Sequence, residues 1–226
     1  MRAVLAGETV LDSRRAVLLH ETGTFPVHYL PLDDIRQDLL EEAEAGREPE
    51  IRRWSVRAGE RLVEHCVAAS PQAADGSELL EDYVTVEFAA MDRWFEEDDP
   101  VYAHPRDPYH RVDVRSASRH VIVRRGGQVV AESLRPKLLF ETSNPVRFYV
   151  PFDDVRIELL ARSETVSECP YKGDGQHWHL RVDGEVVRDA AWSLPHPLAE
   201  GMAAAEHVCF YPAKVETEVD GERVTD

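Results

Sequence analysis

Residues 13–40 read SRRAVLLHETGTFPVHYLPLDDIRQDLL, and residues 133–160 read SLRPKLLFETSNPVRFYVPFDDVRIELL. Laid over one another, the two stretches match without a gap at Ser13/Ser133, Arg15/Arg135, Leu18/Leu138, Leu19/Leu139, Glu21/Glu141 and Thr22/Thr142. The identities continue through Tyr29/Tyr149, Pro31/Pro151, Asp33/Asp153, Asp34/Asp154, Arg36/Arg156, Leu39/Leu159 and Leu40/Leu160. Polar positions match as well as apolar ones, so a shared hydrophobic period does not explain them. The chain is a duplicated module, and repeats of this kind decide the fold before any motif does.

Beyond residue 40 the copies diverge, the first being the more eroded. Trp54 and Gly59-Glu60 echo Trp178 and Gly184-Glu185 with a one-residue gap between them, and residues 83–86 correspond to residues 207–210. In the second copy, 120–125 and 128–132 flank Gly126-Gly127, a two-residue hairpin signal. Strands are expected at 138–141 and 146–150 around the Thr142-Ser-Asn-Pro145 turn, at 178–182 and 185–188 around Asp183-Gly184, and at 208–211. Asp153 is placed to cap a short helix with Val155, Leu159 and Leu160 on its apolar face. The fold class is therefore mainly β: two tandem modules, each a curled antiparallel sheet with one short helix. The first module is expected over 1–100 and the second over 118–226, with an ordered connector at 101–117. That connector holds Pro105 and Pro108 and has no period, which predicts an extended, irregular segment. Its His104, Arg106 and His110 mark it as a clamp or as the rim of a site.

Acidic residues outnumber basic ones by 43 to 26, a formal net charge of -17. Nucleic acid and anionic membranes select a basic footprint, so neither is expected as a partner. No apolar run approaches the ~20 residues that span a bilayer. Cys66, Cys169 and Cys209 are odd in number and scattered, which fits a reducing compartment and a cytoplasmic protein.

The second copy carries Ser133-Leu-Arg135-Pro, Phe148-Tyr149-Val-Pro151, Asp154-Val-Arg156, Cys169-Pro-Tyr-Lys172-Gly173, Trp178, Asp189-Ala-Ala-Trp192 and Cys209-Phe-Tyr-Pro212. In these motifs it resembles the bacterial domain-of-unknown-function family 427, and the tandem form with the 104–113 connection looks like a recurrent arrangement in that family. The resemblance implies an Mss4-like, or β-tent, fold around a pocket. It implies no firm activity, although a nucleotidyltransferase label is sometimes attached to the family. Proteins of the β-tent type often hold zinc on two Cys-x-x-Cys knuckles. Neither knuckle is present, so no structural zinc or other cofactor is expected.

In Cys169-Pro-Tyr-Lys172-Gly173, a thiol lies three residues from an ammonium, which favours the thiolate and makes Cys169 and Lys172 the candidate catalytic pair. The alternative is a buried thiol, with Lys172 paired to a carboxylate such as Glu141. The first copy has nothing equivalent near residues 49–53. Arg135, Glu141 and Tyr149 are retained in both copies, which favours a framework role in which Arg, Glu and Tyr satisfy one another. His177 and His179 share a strand face, but alternation puts Trp178, Leu180 and Val182 inward and both histidines in solvent, so no metal is expected there.

Tyr149, Tyr171, Trp178, Trp192 and Tyr211 can line a small concave pocket. With Cys169 and Lys172 as its polar centre, Arg135 and Glu141 nearby, and His104, Arg106 and His110 at its rim, the second repeat is expected to bind a small molecule. Two alternatives stand beside it. One is a non-catalytic interaction scaffold. The other is a nucleotidyltransferase, for which Gly76-Ser77 is a weak phosphate turn with no Asp-x-Asp after it.

Overall fold

The computed structural model describes residues 1–21, 24–43, 51–69, 80 and 82–225, so the Gly76-Ser77 turn lies outside the described residues. The chain divides into two compact units, Met1–Asp107 and Pro108–Asp226.

In the first unit a six-stranded antiparallel sheet runs in the order Val17–Leu19, Val27–Pro31, Tyr83–Val86, Arg61–Ala69, Arg53–Ala58 and Leu40–Glu42. A four-stranded sheet runs Asp99–Val101, Arg93–Glu96, Arg2–Leu5, Glu8–Asp12. The alternation of small and branched apolar residues supplies one core, in which Leu5, Val10, Leu30, Val56 and Val67 are fully buried.

The second unit repeats this plan. Its larger sheet runs Val112–Ser116, Lys137–Glu141, Arg147–Pro151, His207–Phe210, Glu185–Pro197, Gly173–Val182, Leu160–Ser167. Its smaller one runs Gln128–Ser133, Val121–Arg125, Glu216–Val219, Glu222–Val224. Pairing registers make the duplication physical: Tyr29 faces Thr85 as Tyr149 faces Cys209, and Glu42 faces Trp54 as Arg162 faces Trp178. Even the bulge in the first hairpin recurs, between Ala3 and Val4 and between Val123 and Arg124. The Gly126-Gly127 and Asp183-Gly184 turns have positive φ at both central residues, as the right-handed strand twist requires of two-residue hairpins.

Four expectations are corrected. The short helix is instead a pair of 3-10 turns in each unit, Leu32–Asp34 with Gln37–Leu39 and Phe152–Asp154 with Ile157–Leu159. Between the two turns Val155 bridges to Ala131, and that extended residue interrupts the helix. The Asp183-Gly184 turn matches Gly59-Glu60 with no gap, because Ala58 faces Arg61 as Val182 faces Glu185. Instead, the second copy is four residues longer between its paired Arg162 and Trp178 than the first is between Glu42 and Trp54. The connector is also less irregular than its prolines suggest, since Val112–Ser116 pairs with Lys137–Glu141 and becomes the seventh strand. Lastly, the shared Arg does not pair with the shared Glu. Ser133 Oγ donates to Asp154 Oδ2 at 2.6 Å and Arg135 Nη2 donates to Asp154 Oδ1 at 2.9 Å. Ser13, Arg15 and Asp34 make the same clasp in the first unit.

The second unit has two apolar clusters. One fills the space between its sheets around Val121, Val150, Leu180 and Val208. The other lies on the opposite face of the larger sheet, where Leu139, Tyr149, Leu194, Ala204 and Cys209 pack with Val112, Val114 and Trp192. Val112 and Val114 belong to the seventh strand, and the 3-10 segment Ala199–Ala204 supplies Ala204. This second face carries the candidate site.

Candidate functional site

The four extra residues of the second copy fall in the segment that holds Cys169-Pro170-Tyr171-Lys172-Gly173. The turn is locked by backbone. Gly173 N–H donates to Cys169 C=O at 2.9 Å, and Leu198 N–H donates to Lys172 C=O at 3.0 Å. Gly173 sits at φ +88, and a Cβ there would lie 2.8 Å from the His196 carbonyl oxygen. Glycine is required on both counts.

This turn delivers Lys172 to Glu141, whose Oε2 accepts a hydrogen bond from Nζ. The two side chains retain only 18% and 9% of their exposure, so the pair is held in a medium where an unpartnered charge would be costly. His110 Nε2 meets the other carboxylate oxygen at 3.1 Å, and its ring stacks on Tyr171 at 4.2 Å. Glu141 is thus engaged through both oxygens.

Next to this pair stands an aromatic wall. Trp192 Nε1 donates to the Tyr149 hydroxyl at 3.0 Å, with the rings edge to face, and Tyr211 lies against Trp192 at 4.3 Å. The Arg147 guanidinium is 5.8 Å from the Trp192 ring centre. Burial pushes the Tyr149 hydroxyl well above its ordinary range, so it stays a neutral O–H. A cavity of about 230 Å³ opens between these groups, and Glu141, Arg147, Tyr149, Cys169, Lys172 and Trp192 line it.

Of the residues singled out in the sequence, Cys169, Lys172, Glu141, Tyr149, Trp192 and Tyr211 therefore meet at one cavity, while His110 and Tyr171 support Glu141. Trp178 and Arg135 lie elsewhere, on a wider cleft of about 1210 Å³. The pleat separates the two tryptophans: Trp192 pairs with His177, while Trp178 pairs with Ala191 and shows the opposite face. In the cleft several polar groups have partners. Trp178 Nε1 donates to Ser193 Oγ at 2.9 Å, Arg162 Nε donates to Gln176 Oε1 at 2.7 Å, and Arg135 holds Asp154. His104 and Arg106 fall in the first unit, where His104 lies 4.2 Å from the Phe25 ring. Arg147, Asn144 and Ser167 line the cavity without having been singled out. Arg147 had a readable signal, since it stands two residues before Tyr149 on one strand and shares its face.

The histidines of the His177-Trp178-His179 run do not point to solvent. His177 is buried, its Nε2 is 3.1 Å from Ser167 Oγ and its ring stacks on Tyr211. His179 Nδ1 accepts the Asp189 N–H at 3.0 Å. Trp178, Leu180 and Val182 do share the inward face, but the opposite face, expected in solvent, is covered at His177 by Ser167 and Tyr211. Among the described residues no group of three or more His, Cys, Asp or Glu is arranged to hold a metal ion. Nor is any helix there long and apolar enough to cross a membrane.

The family described as Domain of unknown function (DUF427) matches residues 1–97 and again residues 113–221. The chain belongs to the DUF427 family. No curated protein matches it. The two DUF427 regions differ where the cavity lies. By strand register Ala68 stands in place of Trp192, Thr85 in place of Cys209 and Val27 in place of Arg147. The first region keeps Tyr29, but its sequence between residues 43 and 53 contains no lysine to stand in for Lys172.

Proposed function

We propose that the second DUF427 repeat binds a compact small molecule in the cavity bordered by Cys169, Lys172, Tyr149 and Trp192. The observation that carries this reading is a convergence of unspent hydrogen-bond donors on an aromatic wall. Lys172 has three N–H donors, and Glu141 is its one partner among the described residues. The Tyr149 oxygen accepts from Trp192, and its own proton has no protein acceptor among the described residues. A scaffold surface would satisfy such groups internally. At about 230 Å³ the cavity lies below the range of drug-sized pockets, which favours a small metabolite.

A thermal-shift screen of the full chain against pooled metabolites tests this. A ligand present at about a hundred times its Kd stabilises by about 2.7 kcal/mol, equivalent to several degrees in Tm for a chain of this size. At least one pool is expected to raise Tm, and Cys169→Ala is expected to alter the size of that shift. Asn144→Trp, which places a large side chain at the exposed rim, is expected to abolish it. If no pool raises Tm, or if Asn144→Trp responds as the wild type does, the cavity is not a binding site.

A further inference from the structure

Ser167 stands on the cavity lining, and what lies behind it narrows the chemistry, granted the binding reading above. In the antiparallel pair of Leu160–Ser167 with Gly173–Val182, Ser167 faces Gly175, and His177 follows two residues later on the same face. Diagonal neighbours of this kind are within reach of a long side chain. Ser167 Oγ lies 3.1 Å from His177 Nε2. Glycine keeps the two together: a Cβ at Gly175 would lie 2.5 Å from Ser167 Oγ and would push the hydroxyl aside.

The two members sit in unlike surroundings, as a nucleophile and its base do. Ser167 is exposed, while His177 is only 7% exposed and its Nδ1 is buried without a partner among the described residues. Nε2 is therefore the ring nitrogen that serves the site. Burial holds the imidazole below its ordinary pKa, with the Asp189 charge opposing and the Lys214 charge assisting, so at neutral pH the ring is the uncharged proton acceptor. Lys172 and Tyr149, on the same lining, hold the unspent N–H and O–H donors that a developing oxyanion requires.

We infer that the second repeat is an acyl-transfer site, with Ser167 as nucleophile, His177 as general base and a short-chain carboxylic ester as substrate. A cavity of about 230 Å³ admits only a short acyl chain, which would lie against Leu139, Leu194 and Trp192. Ser167 Oγ adds to the carbonyl carbon as its proton passes to His177 Nε2. The adduct collapses by breaking the ester C–O bond, and the leaving alcohol takes that proton. Water then adds to the acyl-serine, with His177 again accepting the proton. The serine oxygen leaves with it, and the carboxylic acid is released.

The test follows hydrolysis of p-nitrophenyl acetate by the full-length protein and locates, by mass spectrometry, the residue modified by phenylmethanesulfonyl fluoride. Hydrolysis is expected, with sulfonylation at Ser167. Ser167→Ala and His177→Gln are each expected to lower the rate about a hundredfold. Gly175→Ala should slow both hydrolysis and sulfonylation, because it displaces the hydroxyl and leaves the rest of the lining in place. Hydrolysis undiminished in Ser167→Ala, or sulfonylation elsewhere with Ser167 untouched, would overturn the assignment. Neither reaction, together with a hit in the metabolite pools, leaves a binding cavity without this chemistry. Neither reaction and no hit removes both readings. Labelling of the wild type decides the question even if His177→Gln fails to fold.

Discussion

His28 shows how one residue can separate two otherwise matched repeats. By register it stands where the second unit has Phe148, and both of its ring nitrogens are buried without a partner among the described residues. Burial, helped by the charge of the Met1 ammonium, lowers its pKa to about 4, against about 6.5 in an unfolded chain. The folded state therefore binds fewer protons than the unfolded state between those values. Stability is unaffected above pH 6.5, falls as pH drops towards 4, and the loss saturates near roughly 3 kcal/mol once both states are protonated. His28→Phe should abolish this contribution, so urea denaturation at pH 7 and pH 5 should show the variant's advantage growing at the lower pH. Parallel pH profiles would mean that the imidazole is not held neutral. The ion pair of the second unit is built instead on a residue that both repeats share. Glu141 was retained in both copies and was legible as a framework residue, yet in the second it also positions the Lys172 ammonium. Its partner was foreseeable because carboxylates are the usual mates of half-buried lysines. That His110 would take its second oxygen was not, since the connector has no period from which a register can be read.

The 169–173 turn is the element on which the site depends. Its glycine is held at φ +88 with a backbone carbonyl 2.8 Å from where a Cβ would sit, so both strain and collision oppose any side chain. Gly173→Ala is expected to cost more than the ~1 kcal/mol of an ordinary left-handed glycine replacement. It should also release the turn locally, so the Gly173 and Leu198 amides should exchange faster while those of the Val121–Arg125 strand stay protected. Uniform loss of protection across the unit would show that the turn is not a separate element. Strand and turn positions were readable because alternation and Gly-Gly or Asp-Gly pairs report directly on backbone conformation. The bulges in Glu185–Pro197, opposite Gly173–Val182, were not readable, because a bulge changes the pairing partner without changing composition. His177 was expected in solvent because alternation tells which residues share a face and not whether that face is covered, and Trp178 was grouped with Trp192 because the pairing that sets them on opposite faces cannot be read from composition.

At the scale of the molecule, the duplication was legible from its gapless identities, and pairing registers confirm it strand by strand. Erosion of the first copy hid the position of the length difference, which lies before Trp178 and not after it. Each unit keeps its own apolar core, and the cluster beneath the cavity belongs wholly to the second. Residues 1–107 and 108–226 produced separately should therefore each show β-type circular dichroism and one cooperative unfolding transition. The second half alone should keep the thermal response to ligand, and a response confined to the full chain would contradict this division of labour. The most direct test of the whole account is the crystal structure of the full chain soaked with the most stabilising compound. The account predicts ligand density between Lys172, Tyr149 and Trp192. Density in the cleft beside Arg135 and Trp178, with the smaller cavity empty, would contradict it.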